Sequence, residues 1–422
     1  MIDRTVAPPF REITHLHMQE PQMVHLSNGV PMYGLPGPTQ GLLKLEVIFL
    51  VGRVHERQAL TARAACRLMR EGTLSNTGGE IAEISDFFGG SISSSDSMDH
   101  NGLVLQCLSH FFHDLLPVFS EMLLQPSFPE KELQSFIRNN QQRLSEDLSK
   151  NEIIAYRELT SLIFGADHPY GYNSTLESYA ALTRDAVFGF WEDHYRAGNV
   201  VIFLSGQYDD NVIQAIDDLI CKPMRLGQSR TNFPKPEPVS RRVLHIRERE
   251  SLQNAIRIGR LLFDRSHPDY YDLHAVSLLL GGYFGSRLMT QIREELGLTY
   301  NIYSHIDAMR LSGYFYISAE VSKEETTRTL EEIYLEITKL RTEPMQAEEL
   351  LMMQRFAVGN MLHLLDGPFS QSDTLKNLIV EGGDFNDFNN MVQAIRSITP
   401  QKVMDLAHKW LDPNEMIEVV VG

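Results

Sequence analysis

Apolar and polar positions along the chain fall into two alternating rhythms. The run "LLKLEVIFLVG" (42–52) alternates with the period of a strand, and "LTARAACRLMREGT" (60–73) then repeats apolar positions at helical spacing. Leu60, Ala64, Ala65, Leu68 and Met69 share one helical stripe, while Arg63, Cys66, Arg67 and Arg70 share the other. Upstream, "MVHLSNGVPMYGL" predicts a hairpin turning at Asn28-Gly29. Downstream, the pattern predicts a helix ending near "FFGGS", strands around 91–97 and 102–108, and long helices through about Phe164. Later, "NAIRIGRLLF", "TYNIYSHI" and "GYFYISAEV" predict strands, and helices are expected from Glu324 to about Arg396.

The pattern also repeats itself. "LTRDAVFGFWEDHYRAGNVVIFLSG" (182–206) and "ITPQKVMDLAHKWLDPNEMIEVVVG" (398–422) both run from a threonine through a Trp-bearing helix to a short Asn-containing loop. Each then enters a β-branched strand closing on glycine. The offset is about half the chain, which predicts two copies of one supersecondary plan. Between them, the stretch 221–242 is rich in proline and basic residues and lacks periodicity, as a linker does. The expected organisation is a first domain at 1–225, a linker at 226–240 and a second domain at 241–422. Strands and helices come in blocks without strict βαβ alternation, so the expected class is α+β.

A chain of 422 residues is long enough for two cores. Its formal net charge of −17 argues against a nucleic-acid binder and against an anionic membrane surface. The N-terminal residues have no apolar core of a signal peptide, so a cytoplasmic protein is expected unless a leader precedes the segment. Cys66, Cys107 and Cys221 are too few and too scattered for a disulfide framework or a cysteine zinc site. The histidines of "HFFHD" (110–114) sit at i, i+3 without a third ligand, and the glycines of "GGYFG" (281–285) lack the Lys-Ser/Thr of a phosphate loop.

Three stretches carry a resemblance: "GGYFGSRLMTQIREELGLTYNIYSHI" (281–306), "FGADHPYGYNS" (164–174) and "FWEDHYRAGNVVIFLSG" (190–206). With the duplicated plan, they make the chain similar to the insulinase/pitrilysin family of zinc peptidases, closest to its short bacterial members and the mitochondrial processing peptidase subunits. The resemblance implies two homologous domains, each a mostly antiparallel sheet with helices on one face, together forming half of a clam-shell chamber. It also implies an inverted His-x-x-Glu-His zinc motif on the helix after the first long strand. Ala62 and Gly72-Thr73 bracket that motif here, but its positions hold Arg63, Cys66 and Arg67. Arginine stays protonated and cannot ligate a cation, and cysteine cannot serve as the general base. The distal glutamate falls near Arg143–Leu144, with Glu146 close by.

The family's second motif is retained. Arg293 and Tyr300 stand seven positions apart in "REELGLTY", matching the pair that holds substrate backbone and the developing oxyanion. The resemblance therefore implies a non-catalytic subunit, holding no metal, of a heterodimeric zinc metallopeptidase. Its partner would be a homologue with an intact motif and its own zinc, and its substrate a peptide or unfolded protein. A catalytically inactive homodimer that binds peptides or serves as a scaffold is the alternative. New chemistry at Cys66, its thiol activated by the neighbouring arginines, is a third.

Overall fold

The computed structural model describes residues 12–229, 236–237, 242–246 and 251–422. Of the expected linker 226–240, residues 230–235 and 238–240 lie outside the described residues. The fold is α+β, with two mixed sheets and many helices. The first sheet holds β1 (Gln22–His25), β2 (Pro31–Pro36), β3 (Leu42–Phe49), β4 (Ser91–Asp96), β5 (Asn101–Leu108) and β6 (Val200–Gly206). The second holds β7 (Arg242–Ile246), β8 (Gln253–Leu262), β9 (Thr299–Ala308), β10 (Gly313–Ser322) and β11 (Ile417–Val421).

Their strand orders, β1-β2-β6-β3-β5-β4 and β7-β11-β8-β10-β9, are one plan used twice once β1 is set aside. The parallel pair β2·β6 answers to β7·β11, and the remaining neighbours are antiparallel in both. The hairpin between β1 and β2 turns where Asn28 and Gly29 take φ of 59° and 73°, a left-handed pair that Asn-Gly tolerates cheaply. The repeated threonines have a local cause. Thr183 Oγ1 accepts from the Ala186 amide at 3.2 Å and Thr399 Oγ1 from the Lys402 amide at 3.2 Å, each capping the helix that precedes the central strand β6 or β11.

Each sheet buries one face under helices of its own half. Leu43, Leu45, Val47 and Phe49 of β3 point into a core shared with the helices Phe112–Leu124 and Arg184–His194. The opposite face is covered from the other half. The helix Gly367–Val380 lies on β2 and β6, joining Leu375 and Leu378 to Leu35, Val201 and Phe203. Reciprocally, the helix Asn151–Phe164 lies on β8 and β11, where Ala155, Leu159 and Ile163 meet Ala255, Val419 and Val421. The two sheets are thereby stitched together by exchanged helices.

This exchange changes the meaning of the β3 alternation. Lys44 and Glu46, which the two-residue period alone would leave facing water, are 7% and 1% exposed. Glu46 accepts from Lys376 Nζ at 2.6 Å, and Lys44 Nζ lies 2.9 Å from Asp373, both partners standing on the crossing helix. Lys376 also bonds Asp373 at 2.9 Å, so the four charges close on themselves.

Candidate functional site

The helix Thr61–Leu68 leaves β3 through a left-handed Leu60 (φ 72°) and packs on β4, β5 and the helix Arg184–His194. Its start is fixed from both sides. The Ala62 amide donates to Glu56 Oε1 at 2.9 Å, and Asn101 Nδ2 donates to the Ala62 carbonyl at 3.0 Å. Burial raises the Glu56 carboxyl, against the hydrogen bond it accepts from Tyr172 Oη at 2.7 Å. Six of the helix's residues, Cys66 among them, are buried, whereas Arg63 and Arg67 reach its open side.

Those two arginines share one counterion. The Arg67 guanidinium closes on Asp96 at the end of β4, and Arg63 Nε stands 3.7 Å from the same carboxylate. Cys66 points the other way, with its Sγ 3.4 Å from the carbonyls of Ser95 and Gly102. Burial, helped by Asp96, pushes its thiol up to about 12, although Arg67 and Arg70 pull in the opposite direction. The expectation that neighbouring arginines could activate this thiol fails because desolvation outweighs their charge.

The helix Glu130–Asp147 crosses in front of this face and brings Asn139, Asn140 and Arg143 to the cavity beside Arg63 and Arg67. Glu146 is exposed, accepts from Gln142 Nε2 at 3.0 Å, and is not among the residues lining that cavity. The donor set at the positions that the resemblance assigns to a zinc motif is therefore two guanidiniums beside Asp96 and a buried thiol held by backbone carbonyls. It does not fit a zinc ion.

Arg293 and Tyr300 meet at the rim of the second sheet. Arg293 stands on the helical segment Met289–Glu295, and Gly297 (φ 64°) takes the left-handed conformation that ends the helix before β9 begins. Arg293 Nε donates to the Tyr300 carbonyl at 2.9 Å, and its guanidinium lies 4.8 Å from the ring centre of Phe284. Tyr300 is 88% exposed and Phe284 58%, so the pair faces outward at an edge strand. Phe284 was not singled out by sequence; its place in "GGYFG", just ahead of the arginine helix, is the signal that could have found it. The hollows beside Arg63 are lined by residues of the first half alone, and Arg293 and Tyr300 are not among them.

No helix among the described residues is long and apolar enough to cross a membrane. A family model described as "Peptidase M16 inactive domain" matches residues 181–355. The chain is 23% identical to an uncharacterized zinc protease of Bacillus subtilis, YmxG, over 90% of its own length and 93% of that protein's. It is also 22% identical to an uncharacterized zinc protease of Rickettsia felis, over 80% of this chain and 82% of the other. Among solved structures, a peptidase M16 inactive domain from Pseudomonas fluorescens superposes with a TM-score of 0.89 at 23% identity, covering 96% of this chain and 98% of that one. With the duplicated α+β fold, these likenesses make the chain similar to the insulinase-like zinc peptidases, its residues 181–355 matching their inactive-domain model.

Proposed function

We propose that this chain is a non-catalytic subunit of a two-chain zinc metallopeptidase. One observation carries the proposal: the positions matched to the zinc motif hold Arg67 closed onto Asp96, Arg63 standing beside the same carboxylate and the buried Cys66, while Arg293 and Tyr300 stand on an exposed edge. A homologous partner with His-x-x-Glu-His would hold the zinc, and the two chains would enclose a chamber admitting peptides or unfolded segments. Arg293 and Tyr300 would reach that site and donate hydrogen bonds to the substrate carbonyl as its charge develops. Their outward placement on an edge strand, with Tyr300 88% exposed, supports this.

Affinity purification from the native cell is expected to return a homologue bearing the intact motif at about one-to-one. In the reconstituted complex, Arg293→Ala is expected to lower kcat by about 100-fold, the cost of removing one oxyanion donor, with the complex intact by size exclusion. Unchanged turnover would remove the role given to Arg293. A bait that runs as a homodimer with no such partner would favour a peptide-binding or scaffold protein instead.

A further inference from the structure

The cleft that replaces the zinc site has a chemistry of its own. Two adjoining hollows of about 380 and 290 Å³ share Arg63, Asn140 and Arg143. Arg67 and Arg70 complete the first, and Arg53 and Arg157 line the second. Six guanidiniums thus converge on one cleft of a chain whose formal charge is −17. Glu71, Glu132 and Asp147 also line it, and Asp96 stands behind Arg63 and Arg67. Burial foremost, then Glu132, pushes the Glu71 carboxyl up against the pull of Arg70.

Several of these cations are poorly satisfied. Arg63 Nε is buried and meets no acceptor within hydrogen-bond range among the described residues. Arg70, half-buried at the same hollow, acts on the Glu71 carboxyl beside it through its charge. Arg143, 76% exposed, reaches Asp147 only at 4.0 Å. By contrast, Arg157 is committed to the Ser174 carbonyl at 2.7 Å, and Arg53 to the Tyr172 carbonyl at 3.3 Å and to that tyrosine's ring. The donors least committed to other groups therefore cluster in the larger of the two hollows, flanked by Asn139 and Asn140.

We propose that this cleft binds the carboxylates of an acidic peptide segment, with Arg63, Arg70 and Arg143 as the principal donors and Arg67 held on Asp96 as a fourth. Guanidinium forks match carboxylates in two-point geometry. A long polyanion such as nucleic acid would be repelled by the acidic remainder of the surface, whereas a short acidic segment fits within the local field. The two hollows adjoin through Arg63, Asn140 and Arg143 and together offer more donors than one anion can use, which favours a peptide with several carboxylates over a free anion. The proposal goes beyond the pairing described above and is tested on this chain alone, so its failure leaves the Arg293 experiment standing.

The test is fluorescence anisotropy of the full chain with a labelled peptide of alternating Glu and Gly, and with its Gln counterpart. Binding of the Glu peptide alone, weakening about 10-fold or more as salt rises from about 25 to about 250 mM, is expected. Arg70→Glu and Arg143→Glu are each expected to weaken it by about 10-fold, with circular dichroism unchanged, while Arg328→Glu in the other half leaves it within about 2-fold. No binding, equal loss in all three variants, or tighter binding of inorganic phosphate or an oligonucleotide than of the Glu peptide would each overturn the proposal.

Discussion

At the scale of single residues, Cys66 shows how burial decides chemistry against charge. It shares a helix with Arg63, Arg67 and Arg70, a neighbourhood that should stabilise a thiolate. Yet it is fully enclosed, and its Sγ points at the Ser95 and Gly102 carbonyls, acceptors that favour the protonated thiol. Iodoacetamide is therefore expected to leave Cys66 unmodified in the native protein near neutral pH and to modify it once denaturant is added, as mapped by mass spectrometry. Native labelling at the rate of a free cysteine would contradict the enclosed thiol. The arginines on either side were legible in the sequence. Their shared counterion Asp96 was not, because it arrives from a strand some thirty positions on, and only the folded sheet sets it beside the helix.

At the scale of elements, the crossing helix Gly367–Val380 turns a surface strand face into an interior one. Glu46 is 1% exposed and depends on Lys376 and Lys44 for compensation. Removing one member of a buried ion set leaves an uncompensated charge, so Lys376→Met is expected to cost about 3–5 kcal/mol in urea denaturation. Adding Glu46→Gln to Lys376→Met should recover part of that loss. A cost below about 1 kcal/mol would mean that water reaches Glu46 and that the helix does not seal this face.

At the scale of the whole molecule, three half-buried histidines predict sensitivity to acid. Burial, with His194 and Arg310 nearby, lowers His55 to about 4, and burial and Lys376 lower His100 to about 4. Burial, with Arg265 and His305, lowers His274 to about 3. All three lie below the ordinary histidine value of about 6.5, so the unfolded chain binds more protons as pH falls below it. Stability is expected to decline as pH drops from about 6.5 through about 4, read as a falling urea midpoint, and His274→Phe should flatten the slope by removing one of the three groups. Equal midpoints at about pH 7 and pH 5 would show that the histidines charge freely in the fold.

Local elements and their duplication were legible in the order of residues along the chain. Strand and helix periods and the Asn-Gly hairpin depend on neighbours within a few residues, and the strands and the hairpin that the pattern marked lie where it placed them. It likewise marked Arg63, Cys66 and Arg67 on the helix after β3, Arg293 ahead of the edge strand β9 and Tyr300 within it. Tertiary structure alone decided which polar groups lie inside. Lys376 reaches Glu46 from 330 positions away, and helices exchanged between the halves cover the second face of each sheet. Periodicity reports which side chains share a face, but what packs against that face comes from distant chain, and that contact sets both burial and charge state.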